Sequence, residues 1–234
     1  MRINELSVFF PAYNEQEEIG NTVKKAKKVL LKVAEKWEII IVNDGSKDDT
    51  LQIAKKLSSE DKRIKVVDHK VNRGYGAAFK SGFYNAKYEW ISFTDSDGQF
   101  DFAEIIRFIE KQRKTKADLV VGYYKKRQVS KTKVITSKMW EIFVYILFGL
   151  HVRDIDCGFK LVSKEVIDAI PKLESERGAF ISSEFLIKAR KSGFKIVEIP
   201  VTHYPRITGS GTGRDMRVIF NSFRDLFRLW RKLK

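Results

Sequence analysis

The sequence has few of the residues that cross-link a chain or anchor it in a bilayer. It contains one cysteine, Cys157, which excludes an intrachain disulfide and a cysteine-based zinc site. Its three histidines share no spacing typical of a metal-ligand set. No run of about 18 residues lacks a charge, which excludes a conventional membrane span, and the first apolar run is too short for the core of a signal peptide. We expect a soluble or peripheral protein from a reducing compartment.

Positive charge is what the sequence has in excess. Lys and Arg number 45 against 30 Asp and Glu, which gives a net charge of +15 over 234 residues. This surplus predicts attraction to phosphate groups, whether they belong to nucleic acid, a nucleotide or an anionic lipid. Hydrophobic residues make up 43% of the chain, so it is also apolar enough to form a globular domain.

The first half of the chain alternates between short apolar runs and charged stretches with helical character. The runs, predicted to be strands, are residues 6–10, 38–42, 64–67, 90–94 and 119–121. The stretches, predicted to be helices, are residues 17–36, 48–58, 76–86 and 102–114. Strands that are apolar throughout are buried on both faces. We therefore predict an open, mostly parallel α/β sheet of the Rossmann type with helices on both faces.

The second half contains three segments of a different kind. Residues 123–138 are basic and poorly periodic, which favours a loop. Residues 139–152 are almost entirely apolar but too short to cross a bilayer, which favours a buried core helix. Residues 214–234 carry apolar side chains at helical spacing, interleaved with seven cations and two acids. Such a composition is typical of a basic amphipathic helix in a membrane interface, and a terminal helix docked on the domain is the alternative.

The sharpest local signal is a pair of aspartates after the fourth predicted strand. Asp95 and Asp97 follow residues 90–94, at the strand end where open α/β sheets bind ligands. Both carboxylates can reach one Mg²⁺ or Mn²⁺ ion, and Gln99 could add a neutral oxygen. The alternative is that the acidic pair only caps a turn or a helix.

Two further loops follow the first and second predicted strands. Tyr13 and Glu15 lie in the first loop, and Asp44 lies in the second. The tyrosine ring can cover a base, and the two carboxylates can accept hydrogen bonds from a base or a ribose. Each loop alone could be an ordinary turn, but the ends of parallel strands share one sheet edge. Their convergence predicts a nucleotide pocket.

Taken together, the strings FPAYNE, VNDGSKDDT, NRGYGAA, TDSDGQ and DIDCGFKL resemble the family-2 inverting glycosyltransferases with the GT-A fold. The Asp-x-Asp-x-Gln form and the basic C-terminal helix are most similar to dolichyl- or polyprenyl-phosphate mannose and glucose synthases. The resemblance implies a catalytic domain over residues 1–213 and a membrane-interface helix over residues 214–234. It implies transfer of a hexose from a nucleotide sugar, of the GDP-mannose or UDP-glucose type, to polyprenyl or dolichyl phosphate.

The resemblance also implies roles for individual residues. The donor would be bound by Pro11, Tyr13, Glu15, Val42, Asp44, Asp95, Ser96, Asp97 and Gln99. The metal ligands would be Asp95, Asp97 and Gln99. The catalytic candidates are Asp97, Asp154 and Asp156. The phosphates and the acceptor would be held by Lys125, Arg127, Lys160, Arg206 and Ser210.

Two positions depart from the family pattern. Gly122 is followed by two tyrosines where related synthases often carry an arginine, and the cations at residues 125–127 are the candidate substitutes. Asp156 stands where a hydroxyl residue is common, which leaves the choice between Asp154 and Asp156 open. Either would act as a base toward a hydroxyl acceptor, or would orient a phosphate acceptor, which is already an anion.

The expected setting is peripheral, on the cytoplasmic face of a membrane, without a nucleic-acid partner. A glycan or another hydroxyl compound is the alternative acceptor, although such an acceptor does not require the basic, aromatic tail. A nucleic-acid-binding module is a second alternative, but the acidic residues at the predicted strand ends would repel a phosphate backbone. A catalytically inactive relative that binds nucleotide sugars is a third, against which the intact Asp95, Asp97 and Gln99 argue.

Overall fold

A computed structural model describes residues 2–125, 131–176, 178, 180–205 and 216–233, with backbone only for 131–135 and 216–221. A seven-stranded sheet has the order β3-β2-β1-β4-β6-β5-β7. The strands are β1 Ile3–Ala12, β2 Ala34–Asp44, β3 Ile64–His69, β4 Trp90–Phe93, β5 Leu119–Tyr124, β6 Lys160–Ser163 and β7 Ile196–Val201. The helices are α1 Ile19–Val33, α2 Thr50–Glu60, α3 Tyr75–Asn85, α4 Ile105–Thr115, α5 Lys131–Phe148, α6 Lys164–Ala169, α7 Phe180–Lys191 and α8 Met216–Leu233.

The sheet separates two apolar cores because its central strands are apolar on both faces. In β1, Phe9 points into one core and Phe10 into the other, and neither has any exposed surface. Helices α1, α2 and α4 cover one face, and helices α3 and α5 to α8 cover the other. The predicted mostly parallel α/β sheet, with helices on both faces, is confirmed. All five predicted strands and four predicted helices are present, with bounds shifted by a few residues.

One strand runs against the others, and it brings a later loop to the edge of the sheet. Strand β6 lies between β4 and β5 and is antiparallel to both, with Lys160 opposite Phe93 and Val121. Because its direction is reversed, the chain immediately before Lys160 lies at the carboxyl ends of β4 and β5. Residues 154–159 therefore meet the loop that follows β4.

The structure corrects two predictions for residues 123–152. Tyr123 and Tyr124 belong to β5, and residues 131–138 form the first part of α5 instead of a loop. The helix ends at Phe148, before the predicted end, and it is not a buried core helix. Val144 and Phe148 are buried, but Ile142 and Ile146 on the other side are more than half exposed. The apolar composition that predicted burial therefore extends around the whole helix.

Helix α8 docks on the domain through one side. Leu226 and Leu229 are buried in the same core as α5 and α7, and Lys232 Nζ lies 2.5 Å from a Glu174 carboxylate oxygen. Arg224 and Arg231 are exposed on the outer side. Among the helices of the described ranges, none is both long enough and apolar enough to cross a membrane.

A buried ion pair on α7 holds the preceding segment, residues 172–176, against the domain. Glu184 and Lys188 are both 2% exposed and lie 2.6 Å apart. The Glu184 carboxylate accepts hydrogen bonds from the amides of Glu174 and Ser175, and Lys188 donates to the Lys172 carbonyl. The Ala77 amide of α3 in turn donates to the Glu176 carbonyl. The ion pair therefore supports the start of α3.

Replacing Lys188 by methionine should destabilise the fold, because it leaves the Glu184 carboxylate buried without its cation. We expect the free energy of unfolding at neutral pH to fall by about 3 kcal/mol, measured by urea denaturation followed by circular dichroism. Lys164→Met is the matched control, because its i,i+4 pair with Asp168 is much more exposed. Lys164→Met should lower the free energy of unfolding by less than about 0.5 kcal/mol. Equal losses of stability in the two variants would contradict the role of the buried pair.

The effect of Lys188→Met should shrink in acid. Burial alone would raise the pKa of Glu184, but hydrogen bonds from Lys188 and from two backbone amides outweigh burial, so its pKa is lowered. A lowered pKa stabilises the folded state above the unfolded pKa of about 4.3, and this contribution is lost as the pH falls through the folded value. Unfolding measured across the acid range should therefore show the two proteins converging; a constant difference would contradict the ionised pair.

Candidate active site

The candidate site lies at the carboxyl ends of β1, β2 and β4, where the sequence places three polar loops. Asp95 follows β4 and sits between two other segments. The Tyr75 hydroxyl at the start of α3 donates to Asp95 Oδ1 over 3.3 Å. On its other side, a Cβ added at Gly158 would lie 2.5 Å from Asp95 Oδ2. Only glycine at position 158 lets the loop before β6 approach the Asp95 carboxylate so closely.

Asp97 and Gln99 complete the loop after β4. Asp97 is 8% exposed, and its carboxylate accepts a hydrogen bond from the main-chain amide of Gln99. The Gln99 side chain donates to the Tyr204 carbonyl over 2.9 Å, and the Tyr204 amide donates back to the Gln99 carbonyl. Gln99 thus ties this loop to the chain after β7, and its side-chain oxygen is the atom that could still bind a metal.

Asp154 and Asp156 lie near the same carboxylates but differ in exposure. Asp154 is buried and Asp156 is exposed. Burial raises the pKa of Tyr75, with a further rise from the negative charges of Asp95, Asp156 and Asp97. Burial also raises the pKa of Tyr124, and Asp95, Asp154 and Asp156 add to it. The predicted acidic residues of both loops therefore share one region of negative potential.

Lys160, a predicted phosphate or acceptor ligand, is engaged within the protein instead. It has no exposed surface, and its ammonium group donates to the carbonyls of Ile155 and Cys157. It also lies over the Phe93 ring. Burial lowers the pKa of Lys160, against the opposing effect of Cys157 and the neighbouring aspartates. Lys160 therefore holds the loop that carries Asp154 and Asp156, and its role toward a phosphate or an acceptor stays a prediction.

Asp44, a predicted nucleoside ligand, also has internal partners on both carboxylate oxygens. Oδ1 accepts from the Arg73 amide and lies 2.7 Å from His69 Nδ1. Oδ2 accepts from the Gly74 amide over 2.8 Å. Asp44 is buried, so in this structure it shapes the turn before α3. Sequence reasoning predicted a structural role for His69 but did not single out Arg73, although Arg73 lies in the NRGYGAA string.

The other predicted donor residues divide into structural and accessible ones. Ser96 is buried and its hydroxyl donates to the Pro11 carbonyl over 2.7 Å, which joins the ends of β1 and β4. The Val42 side chain is buried in the apolar core, so any contact with a nucleoside would have to come from its main chain. Tyr13 is 39% exposed and Glu15 is half-buried. These last two are the side chains that a nucleoside could reach.

The predicted phosphate ligands are only partly within the described residues. Lys125 follows β5, its side chain is exposed, and its amide donates to the Val201 carbonyl. Arg127, Arg206 and Ser210 lie outside the described residues.

The oxygen ligands at the end of β4 fit a hard divalent cation. Within the part of the chain that the structure describes, no three His, Cys, Asp or Glu side chains form a complete metal cluster. Mg²⁺ does not require one, because it commonly binds through one or two carboxylates and completes its shell with water and substrate phosphate. Asp95 and Asp97 are two carboxylates that could bind such a cation, and Gln99 carries a neutral oxygen that could be a third ligand.

The overall architecture is shared with solved glycosyltransferases. The chain is similar to glucosyl-3-phosphoglycerate synthase from Mycobacterium tuberculosis, crystallised with Mn²⁺, UDP-glucose and phosphoglyceric acid. The TM-score is 0.68 at 19% identity, and the match covers 98% of this chain and 79% of that one. This likeness establishes the GT-A fold.

Three curated proteins are similar to this chain over most of its length. The chain is 31% identical over 217 residues to a dolichyl-phosphate beta-glucosyltransferase of Trichomonas vaginalis, covering 88% of this chain and 67% of the relative. It is 28% identical over 228 residues to the dodecaprenyl-phosphate galacturonate synthase of Rhizobium johnstonii, and the match covers 95% of this chain and 67% of the relative. It is 29% identical over 208 residues to glycosyltransferase AglD of Haloferax volcanii, covering 86% of this chain but only a third (33%) of that relative.

The family assignment follows from the extent of the match. Residues 7–170 match Glycosyl transferase family 2, which is more than half of the chain. The match includes most of β1, all of β2 to β6, and residues Asp44, Asp95, Asp97 and Asp154. The chain therefore belongs to glycosyl transferase family 2.

Proposed function

We propose that the protein is a metal-dependent inverting glycosyltransferase that moves a hexose from a nucleotide sugar to a polyprenyl or dolichyl phosphate at a membrane surface. The observation that carries the proposal is the meeting of two acidic loops at one sheet edge. Asp95 and Asp97 follow β4, and Asp154 and Asp156 precede the reversed β6. With a divalent cation bound at the first loop, the donor diphosphate and the acceptor can be held by different loops of one site.

Asp95 and Asp97 are the proposed ligands of Mg²⁺ or Mn²⁺, with Gln99 as a further ligand. When bound, the metal would neutralise the charge that develops on the leaving diphosphate. The structural relative was crystallised with Mn²⁺ and UDP-glucose, which supports this assignment. The protein's own contribution is to hold the two carboxylates in place, through the Tyr75 hydroxyl at Asp95 and the Gln99 amide at Asp97.

The donor's nucleoside is proposed to lie on the accessible side of the loop after β1. The Tyr13 ring would cover the base, and Glu15 would accept a hydrogen bond from the base or the ribose. Asp44 would act indirectly, since it fixes the Arg73 and Gly74 amides. The donor is a hexose nucleotide of the UDP-glucose or GDP-mannose type.

The proposed acceptor is a polyprenyl phosphate. Two relatives are named for dolichyl-phosphate or dodecaprenyl-phosphate substrates and differ in the sugar they carry, which supports the acceptor more than any one sugar. A phosphate acceptor is already an anion, so Asp154 or Asp156 would orient it and need not remove a proton. Lys125, Arg127, Arg206 and Ser210 are the proposed ligands of the two phosphates.

A hydroxyl acceptor is the second candidate. The structural relative was crystallised with phosphoglyceric acid, which is not a lipid. With such an acceptor, Asp154 or Asp156 would serve as the general base. Asp154 is buried, whereas the exposed Asp156 is more accessible to a bulky acceptor.

The setting follows from the acceptor. We propose that the protein works as a peripheral protein on the cytoplasmic face of a membrane, with α8 in the interface. The exposed cations of α8 would bind anionic lipid headgroups, while its inner side stays docked on the catalytic domain.

The test of the function is a transfer assay with a panel of nucleotide sugars, Mg²⁺ or Mn²⁺, and a short polyprenyl phosphate. Each donor is run with and without the lipid phosphate. Turnover of one donor only when the lipid is present would identify donor and acceptor together. Donor binding without transfer to the lipid would reject the lipid acceptor and favour the hydroxyl one.

Asp97→Asn should remove metal-dependent turnover. The substitution keeps the shape of the side chain but removes its charge, so we expect the turnover rate to fall by about a hundredfold or more, as several kcal/mol of charge stabilisation are lost. The matched control is Asp101→Asn, an exposed residue that caps the next helical turn and should keep its rate. An unchanged rate in Asp97→Asn would reject the metal assignment.

Tyr75→Phe should weaken the metal site while leaving the fold intact. The variant removes the one hydrogen bond to Asp95 Oδ1 that the tyrosine supplies, and a hydrogen bond to a charged group contributes roughly 1.5–3 kcal/mol. We expect the metal concentration for half-maximal turnover to rise about tenfold, measured by metal titration. Tyr88→Phe, before the opposite end of β4, should not shift the titration. Equal titration curves for Tyr75→Phe and the unmodified protein would show that Tyr75 does not position Asp95.

A further inference from the structure

Helix α5 is apolar on two opposite sides, and only one of them is covered by the described part of the chain. Val144 and Phe148 on its inner side lie in the core under the sheet. Its outer side presents Met139, Ile142, Phe143 and Ile146, whose exposed fractions run from 42% to 70%. These four residues are spaced i, i+3, i+4 and i+7, so they form one continuous stripe along the helix. We call them the α5 stripe.

The α5 stripe differs from the exposed apolar residues on the other helices of the described ranges. Helices α1, α3, α4 and α8 each expose one large apolar side chain, Leu31, Tyr84, Ile106 and Phe227 respectively. Single exposed residues of that kind are normal, whereas a contiguous apolar patch marks a contact with a partner or a membrane. We therefore expect a partner or a membrane to cover the α5 stripe.

Helix α8 packs against α5 and carries exposed cations. The Phe223 ring of α8 packs edge-on against Trp140 and Phe143 of α5, at 5.2 and 5.4 Å between ring centroids. The exposed positions of α8 include Arg224, Phe227, Arg228 and Arg231, with the same spacing of i, i+3, i+4 and i+7. An apolar stripe and a cationic one thus run on adjacent helices.

We infer that the α5 stripe is the membrane-inserting half of a docking surface for an anionic bilayer, whose headgroup phosphates are bound by the arginines of α8. This goes beyond the proposed interface role of α8 and rests on the proposed function only in its choice of a lipid acceptor. Apolar insertion next to cations matches the two layers of a bilayer surface, acyl chains and phosphates. A second copy of this chain, with a net charge of +15, would bring the same cationic face and be repelled.

The position of α5 in the chain links this surface to the active site. Strand β5 ends at Tyr124 and α5 begins at Lys131, so the helix follows closely after the strand that pairs with β6. Asp154 comes soon after the end of α5 at Phe148. The Lys138 ammonium also donates to the Arg153 carbonyl, next to Asp154. A bilayer bound to α5 would therefore lie close to the acidic loop proposed to meet the acceptor.

The test is vesicle flotation with the full chain, on phosphatidylcholine vesicles with and without phosphatidylglycerol. The variant Ile142→Gln/Ile146→Gln removes apolar surface without changing charge, and its affinity should fall by about tenfold or more. Its matched control is Leu31→Gln/Ile106→Gln, which changes two exposed apolar residues on the opposite face of the sheet. The control should bind as the unmodified protein does.

A charge variant separates the two halves of the surface. Arg224→Gln/Arg231→Gln should weaken binding to vesicles that contain phosphatidylglycerol, by roughly fivefold for each cation removed. It should change binding to pure phosphatidylcholine little. The variant Ile142→Gln/Ile146→Gln should instead weaken binding to both kinds of vesicle.

A depth probe reports insertion directly. Cys157 is buried, and burial raises its pKa to about 12, so a polarity-sensitive thiol dye should label only a newly introduced cysteine. A dye on Ile146→Cys should shift to the blue when anionic vesicles are added, and a dye on Ile106→Cys should not. A dye at position 146 that stays in water would overturn the inference.

Other outcomes are equally decisive. Unchanged vesicle binding of Ile142→Gln/Ile146→Gln would reject the stripe as the contact. A dimer in gel filtration that this variant dissociates, without vesicle binding, would assign the stripe to a second copy and overturn the inference. Vesicle binding through the α5 stripe without sugar transfer to polyprenyl phosphate would keep the inference and reject the lipid acceptor. Sugar transfer to polyprenyl phosphate without vesicle binding through the stripe would keep the lipid acceptor and reject the inference.

Discussion

The hydrogen bonds of the buried Lys160 ammonium determine how the two halves of the site meet. Because Lys160 donates to the carbonyls of Ile155 and Cys157, the chain before β6 is closed into a tight turn. The antiparallel pairing of β6 with β4 sets that turn beside Asp95, and Gly158 allows the contact. A lysine that lost these partners would leave a buried charge unpaired, which the interior does not tolerate. The buried Lys160 ammonium thus positions the loop that carries Asp154 and Asp156.

The negative charge gathered around Asp95 explains why a divalent metal belongs in the proposed mechanism. Like charges at short range disfavour ionisation, and here they raise the pKa of two neighbouring tyrosines, Tyr75 and Tyr124, beyond the rise that burial causes. A bound cation would relieve this repulsion and at the same time attract the donor diphosphate. Part of the chain's positive charge lies on a different surface, since the exposed arginines of α8 lie on the helix layer that also carries α5.

The sequence predicted the parallel half of the sheet well, because strands buried on both faces leave a plain apolar pattern. It did not predict β6 or β7, whose runs are short and contain charged residues, and therefore missed the reversal that brings the loop of Asp154 and Gly158 to Asp95. It identified Asp44 and Lys160 as site residues, but it did not predict their hydrogen bonds to backbone amides and carbonyls, which leave no trace in the spacing of residues. Their roles toward ligands stay predictions. The roles of Asp95, Asp97 and Asp156 toward ligands stay predictions.

Helix α5 shows why its apolar composition alone led to the wrong prediction that it is a buried core helix. An apolar segment of this length is equally typical of a helix enclosed by protein and of one shared between protein and lipid. The difference lies in how many neighbours the fold places around it: α7 and α8 pack on the side of Trp140 and Val144, and the side of Ile142 and Ile146 faces outward. A surface in contact with water alone would favour polar residues at those outward positions. Their apolar character therefore argues that the helix faces two different apolar environments, the domain core and, as we propose, a bilayer.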